Sequence, residues 1–415
     1  MKFNKKIKVL VALSGGVDSA VAAALLVKAG YNVTAAFMIN YDDDGENVVA
    51  RHAGPLQQTQ SCYVPDYRDA VRVAAQLNIP ILKLNFVKEY KRDVLDYMFA
   101  EYRQGRTPNP DVMCNKFIKF GSWLKKAEEL GFDYLATGHY ARRVLTPRPL
   151  HCDGEGARPP SFAKEGFGGG LVHLLEAKDK NKDQTYFLHQ LNQKQLSKTL
   201  FPVGEYTKPE VRKLAKKFGL PVADKAESMG ICFIGEVPMK EFLEKRIKHK
   251  PGKIIMSYGK GGVTPPLQRI VVGKHDGLAF YTIGQRHLGL ASPHPRPLLC
   301  EGEGNRPLYV VAKNIRTNEL VVGYEDDLLL FSKEAVVTGV NWICQKPQFP
   351  LKCQVRLRHR QILQECIVRC HSERGRRPTR NLVIVHFAKP ERAVTPGQFA
   401  VFYNNGACLG GGVIK

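Results

Sequence analysis

Along the first third of the chain, short apolar runs alternate with segments whose apolar residues recur every three or four positions. Residues 7–13 (IKVLVAL) form the kind of run carried by a strand buried on both faces. Asp18 and Ser19 open a helix that continues to Lys28, and Gly30 ends it. Residues 32–38 read as a second strand, 66–78 as a helix, and 79–86 as a third strand opened by Pro80. Over residues 87–104, Tyr90, Val94, Tyr97, Met98 and Tyr102 share one side of an amphipathic helix. A helix over 117–130, stopped by Gly131, and a strand over 134–137 complete the series. Strand and helix in alternation predict an α/β fold, a doubly wound parallel sheet.

The pattern changes in the last 80 residues. β-rich runs at 336–342, 352–358, 366–370, 382–387 and 398–403 are separated by Gly, Pro and Asn. They predict a small antiparallel barrel or sandwich. Between the two regions, about 201–290 has mixed character. The expected division is therefore 1–200, 201–290 and 291–415. Two stretches interrupt the pattern: PRPLHCDGEGARP from Pro147 and PRPLLCEGEGNRP from Pro295 match at ten of thirteen places. Their Pro and Gly content marks them as related surface insertions, at about 147–170 and 292–306, with a third at 371–380.

Charge narrows the function. The 415 residues hold 62 Lys or Arg against 39 Asp or Glu, a formal net charge of +23. A chain this basic is expected to meet a polyanion, with nucleic acid first. The last 80 residues alone carry thirteen Lys or Arg and three acidic residues, so this segment is expected to track phosphates. The longest apolar run, residues 20–27, cannot span a bilayer, so no membrane role is expected. The basic start MKFNKK leads directly into the first strand, so a cytosolic protein is expected. Ten scattered cysteines without any C-x-x-C pair argue against a secreted disulfide scaffold, a zinc ribbon and a thioredoxin-type motif.

Three strings carry chemistry. Ser14-Gly15-Gly16-Val17-Asp18-Ser19 lies between a buried strand and a helix. Its glycines let backbone amides approach an anion, and the helix start adds partial positive charge. Ser14 and Ser19 can donate to the same anion, while Asp18 can orient the loop or hold Mg2+. The string is neither a Walker loop nor a dinucleotide fingerprint. It resembles the pyrophosphate loop of the PP-loop ATPases, which adenylate a carbonyl oxygen. The second string, GRTPNPDVMCNKFIKFG from Gly105, holds a rigid loop that ends at Cys114. A cysteine at a helix start, flanked by Lys116 and Lys119, is expected to be a nucleophile of lowered pKa. Asp111 can act as base or anchor a substrate group. The third, SMGICFIG, sets Cys232 between glycines.

Together these strings resemble the tRNA-specific 2-thiouridylase family. ATGHY at 136–140, NKDQTYFL at 181–188, LFPVG at 200–204, TIGQR at 282–286, TPGQ at 395–398 and LGGG at 409–412 agree with it in order. The resemblance implies a PP-loop domain, a small central domain and a C-terminal β-barrel. It implies ATP binding by Ala12, Leu13, Ser14, Gly15, Gly16, Val17, Asp18, Ser19, Met38 and Gly138. It implies that Asn109, Pro110 and Asp111 face the target base, with Cys114 as nucleophile and Cys232 as persulfide carrier. The two cysteines would close a transient disulfide. Lys182, Asp183 and Gln184 would contact tRNA, as would Arg358 and His359, where the family more often has Arg-Tyr. ATP and Mg2+ are the implied cofactors; an iron–sulfur cluster on Cys114, Cys232 and a third ligand stays an open alternative. The implied partners are the anticodon stem–loop of tRNA and a persulfide donor protein, and a monomer is expected. The rival readings are a PP-loop enzyme acting on small molecules, an iron–sulfur thiolase and a tRNA-binding protein without activity. The first lacks a glutaminase segment, the second lacks C-x-x-C, and the third leaves Ser14, Asp18, Cys114 and Cys232 without a task.

Overall fold

The computed structural model describes residues 7–42, 63–146, 170–226, 239–258, 268–286, 288, 306–370 and 382–415. The insertions and Cys232 lie wholly or mostly outside these residues.

A five-stranded parallel sheet forms the first layer. Its order is Ile81–Asn85, Asn32–Ile39, Lys8–Ala12, Tyr134–Ala136 and Thr199–Leu200. The first strand in sequence thus sits at the centre, with chain order running outward to either side of it. Val9, Leu10 and Val11 are fully buried, as the apolar run requires. One face packs on the alanine-rich helix Val17–Lys28, whose Ala20 to Ala24 are all at most 3 % exposed. The other face packs on Tyr90, Met98, Ile118 and Phe120 from the helical segments that follow the third strand.

The region from 201 to 226 belongs to this layer. The helix Lys208–Lys217 packs against Val17–Lys28, and Val211, Ala215, Leu220 and Val222 join the same core. The expected boundary at 200 is therefore corrected, because an amphipathic helix buries its apolar face wherever a complementary face is available. The boundary at 290 is corrected as well. One four-stranded sheet, ordered Tyr309–Asn314, Glu319–Gly323, Gly252–Tyr258 and Gln268–His275, takes strands from both sides of it.

The C-terminal unit is a closed six-stranded barrel. Phe331–Trp342, Leu382–Arg392, Gln364–Cys370, Leu351–Arg356, Phe399–Asn404 and Ala407–Ile414 pair in that order, and the last pairs back onto the first. The strand 407–414, unrecognised in the sequence because of its three consecutive glycines, closes the ring. A hairpin from the first layer, Ala141–Thr146 with Leu171–Glu176, extends the barrel sheet through Ala407↔Leu175 and Cys408↔Leu174. Among the described residues, no helix is long and apolar enough to cross a membrane.

Candidate active site

From the central strand the chain builds outward on one side, through Asn32–Ile39 and Ile81–Asn85, and then crosses to the other, through Tyr134–Ala136 and Thr199–Leu200. In such a sheet the crevice opens beyond the carboxyl ends of the strands at that switch. A cavity of about 560 Å³ lies there. The turn after the first strand supplies Ala12, Leu13, Ser14, Gly16, Val17, Asp18 and Ser19 to its wall, the second strand supplies Met38, and the turn after the fourth supplies Gly138.

The first turn is held by its own atoms. Ser14 N–H donates to Ser19 Oγ at 3.2 Å, the two hydroxyls lie 3.1 Å apart, and Ser19 Oγ donates to the Gly16 carbonyl at 3.1 Å. Gly16 is the N-cap of the helix and provides no side-chain cap. The first helical N–H groups therefore remain for an anion in the cavity. Gly15 does not line the cavity; at φ +76° its missing Cβ is what lets the turn lie on Asp66, whose carbonyl oxygen would be 2.3 Å away. Gly138 allows an equally close approach, since a Cβ there would sit 2.7 Å from Ser19 N.

Asp18 orients the loop. Lys208 Nζ donates to both its carboxylate oxygens at 2.7 and 2.9 Å, and Tyr140 hydroxyl donates to one at 2.8 Å. Oδ2 accepts only one of these bonds, so it keeps a lone pair that fits a magnesium ion carried with the phosphates. Lys225 Nζ donates to the Gly15 carbonyl at 3.1 Å and to Asp66 and Asp69 at 2.8 and 2.6 Å. Lys208, Arg212 and Lys225 all line the cavity and place basic side chains beside the glycine turn. Sequence reasoning missed all three. Each comes from the 201–226 region, and no local pattern separates them from other surface bases.

A second wall comes from the helix that begins at Pro110 under an Asn109 cap, whose Oδ1 accepts from Val112 N–H at 3.4 Å. Asp111, Asn115, Lys119 and Trp123, spaced four apart, line the cavity. From Cys114 to Trp123 the helix carries π-type bonding, a distortion found often at functional sites. His139 accepts or donates at Nδ1 with Thr137 Oγ1, 2.8 Å away, and its Nε2 lies 3.4 Å from Lys119 Nζ. Burial, then the Lys119 charge, holds the His139 imidazole well below its ordinary range. The ring is therefore neutral, and Nε2 accepts from the ammonium.

Several expectations are corrected here. Cys114 is not at a helix start, because the helix opens four residues earlier; it is 1 % exposed and sits in the core. Lys116 turns away to Gln190 at 3.0 Å. The helix-start argument for a lowered thiol pKa therefore fails. Asn109 serves as a cap and Pro110 is buried, so of that triplet only Asp111 borders the cavity. Asp183 is 1 % exposed, and its carboxylate is used inside the protein. It accepts from Thr185 Oγ1 at 2.7 Å and from Arg356, on a barrel strand, at 3.1 Å. Burial pushes its carboxyl up against the hydrogen bonds that favour its charge. Arg358 donates to the carbonyls of Arg392 and Ala393 at 3.3 and 2.7 Å. Lys182, Gln184 and His359 do border the cavity. His359 Nε2 donates to the Asp183 carbonyl at 2.9 Å, and its ring lies 4.6 Å from that of Phe187. Among the described residues, Cys114 belongs to no cluster of three metal-ligating side chains, and Cys232 lies outside them.

The segment leading to Asp111 is pinned from outside its own layer. Thr107 N–H donates to the Pro396 carbonyl at 3.0 Å, and Gln398 Nε2 donates to the carbonyls of Thr107 and Pro108 at 2.9 and 3.2 Å. From the central sheet, Lys313 Nζ donates to the Gly105 carbonyl at 3.0 Å.

A parallel sheet whose central strand turns through glycines into an uncapped helix start, with a cavity at the switch point, defines a nucleotide-binding unit of the PP-loop class. Family models agree domain by domain. Residues 7–236 match the tRNA methyl transferase HUP domain, 240–324 its PRC-barrel domain, and 332–414 an aminomethyltransferase beta-barrel domain. The tRNA-specific 2-thiouridylase MnmA of Streptococcus sanguinis (strain SK36) is 43% identical over 100% of this chain and 96% of that protein. The protein of the same name from Legionella pneumophila (strain Paris) is 41% identical over 99% of each. The chain belongs to the tRNA-specific 2-thiouridylase family. Among solved structures, a 4-thiouridine synthetase–RNA complex with bound ATP aligns weakly, with TM-score 0.31 and 16% identity over 58% of this chain and 50% of that one.

Proposed function

We propose that the chain is an ATP-dependent sulfurtransferase that 2-thiolates the wobble uridine of tRNA. The observation that carries this reading is one cavity walled by the glycine turn, by the helix bearing Asp111, and by His359 and Arg360 of the barrel. Nucleotide, reacting base and RNA backbone can meet in such a space.

In this reading the base is flipped out of the anticodon loop, because its 2-carbonyl is unreachable inside a stack. The uridine 2-oxygen attacks the α-phosphorus of ATP, and pyrophosphate leaves into the amides of residues 14–19 and the cations Lys208, Arg212 and Lys225. Magnesium, travelling with the phosphates, would add charge neutralisation. A persulfide on Cys232 then attacks C2 through its terminal sulfur, and AMP departs with the former carbonyl oxygen. The Cys114 thiolate attacks the Cys232 sulfur, which breaks the S–S bond and releases 2-thiouridine. The resulting Cys114–Cys232 disulfide is reopened by an external dithiol. In this reading Asp111, which borders the cavity on the same helix as Cys114, takes a proton or holds the base. The basic barrel would hold the stem phosphates.

Mass spectrometry of nucleosides from tRNA incubated with ATP and a persulfide donor tests the reading. The expected product is 2-thiouridine with one AMP released per sulfur. Cys114→Ser and Cys232→Ser should each abolish it while tRNA and ATP binding persist. Undiminished thiolation in either variant would remove that cysteine from the mechanism.

A further inference from the structure

One cation on the second wall has no task in the reading above. Lys119 is partly exposed and lines the cavity. Its backbone belongs to the helix that carries Asp111 and Cys114, yet its Nζ is met by a residue from the glycine-turn end, His139 Nε2, at 3.4 Å. His139 follows Gly138, which packs so tightly on the turn that a Cβ would stand 2.7 Å from Ser19 N and 2.8 Å from the Asp18 carbonyl carbon. Thr137 Oγ1 takes the Nδ1 proton at 2.8 Å, and the ring lies against Phe120 and Phe201, with centroids 5.6 and 6.2 Å away. A neutral imidazole fixed in this way orients the ammonium and leaves its charge in place, where a carboxylate would cancel it. Lys208 and Lys225, by contrast, are committed to the turn and its support, through Asp18 and through Asp66, Asp69 and Gly15.

We infer that Lys119 is a catalytic residue of the adenylation step, its ammonium donating to a non-bridging oxygen of the α-phosphate while the pyrimidine 2-oxygen attacks. This rests on the thiolation reading and deepens it. In that step the bond from O2 to the α-phosphorus forms, the bond from the α-phosphorus to pyrophosphate breaks, and the N3 proton passes to a base, for which Asp111 borders the same cavity. Entering and leaving oxygens stand roughly in line through phosphorus. With pyrophosphate at the glycine turn and the base at the Asp111 end, the α-phosphorus falls between them. Lys119 spans the same interval, from the Asp111 helix to His139 beside the turn. A cation held there before the reaction stabilises the charge on the equatorial oxygens of the transition state without reorganising.

The test reads adenylation alone. Pyrophosphate release is followed in single turnover with tRNA and ATP and without a persulfide donor. Lys119→Met should slow it about 100- to 1,000-fold, while ATP and tRNA affinities fall by no more than about fivefold, the contact being made chiefly in the transition state. The two α-thio diastereomers of ATP supply a readout that a structural role would not move, since each places sulfur on a different non-bridging oxygen. The wild type should prefer one of them by about tenfold. Lys119→Met should narrow that ratio and Lys119→Arg should keep it, whereas general damage to the site would slow both diastereomers alike. Lys119→Gln, which keeps a donor but not the charge, repeats the comparison if the methionine variant does not fold. A wild type that treats the diastereomers equally would overturn the inference, as would a ratio unchanged in Lys119→Met. Adenylation at the wild-type rate in Lys119→Met, with thiolation lost, would move Lys119 to the sulfur step and refute its assignment to the α-phosphate. A wild type that releases no pyrophosphate with tRNA would instead sink the adenylation reading itself.

Discussion

Two segments support opposite walls of the cavity, and they are stabilised in opposite ways. Residues 14–19 close on themselves through Ser14, Gly16 and Ser19, and lean on the neighbouring helix through Gly15. Residues 105–111 hold little of their own shape. Their carbonyls are taken by Gln398 from the barrel and Lys313 from the central sheet. The glycine-turn end of the cavity is thus a property of one layer, whereas the Asp111 end exists only where three units meet. A defect in the first should remove fold and nucleotide binding together. A defect behind the second should leave the nucleotide bound and misplace the chemistry.

The sharpest way to break the contrast is Gly15→Ala. Its φ of +76° and the Asp66 carbonyl at 2.3 Å from the added Cβ demand that the turn shift. Left-handed strain and overpacking together cost about 2–4 kcal/mol. Urea unfolding should show that loss, and calorimetry should show ATP binding gone. A variant of wild-type stability would mean the turn is held elsewhere.

Gly397→Ala probes the other end from the barrel side. Gly397 has φ +93°, and its added Cβ would lie 2.9–3.0 Å from Thr107 backbone atoms. Displacing residues 105–111 by a fraction of an ångström should lower thiolation about 10- to 100-fold, since misplacement of that order is costly to reaction geometry. ATP affinity should stay within about twofold of the wild type, the strain being local to the turn. Parallel loss of ATP binding would show that the two segments are not independent.

The smallest effect is expected from pH. Burial lowers Lys313 from its ordinary 10.5 to about 8. Between those values the unfolded chain binds the proton and the folded chain does not, so stability rises with pH from about 8 towards 10.5. The slope is at most about 1 kcal/mol per pH unit. Urea midpoints at pH 7.5 and 9.5 should separate for the wild type more than for Lys313→Met. Equal separation would assign the dependence to other groups.

Legibility in the sequence follows the same division. Ser14 to Ser19 could be read because a strand, a glycine turn and a helix start are adjacent in the chain, and the structure places all but Gly15 on the cavity. The barrel strands could be read from their alternation. The unit boundaries could not. Gly252–Tyr258 pairs with Glu319–Gly323 across more than sixty residues, and no local signal marks a partner so distant. Asp183 reads as a surface acid until Arg356 arrives from the barrel to bury it. Cys114 reads as a helix-start thiol until Asn109 proves to cap the helix one turn earlier. Asn115 showed nothing in the string CNK beyond its place next to a cysteine.

The ribbon of residues 141–146 and 171–176 has a mechanical consequence. It leaves the nucleotide layer and is hydrogen-bonded edge to edge with the last barrel strand. Swinging the barrel away would break the pairings Ala407↔Leu175 and Cys408↔Leu174 and open the core that Leu174 shares with Phe399, Val401 and Tyr403. The central unit shares no sheet with them and is held instead by packing, through Phe242, Leu243 and Ile247 in the first-layer core and through Tyr309 and Val311 against Leu330 and Ala393.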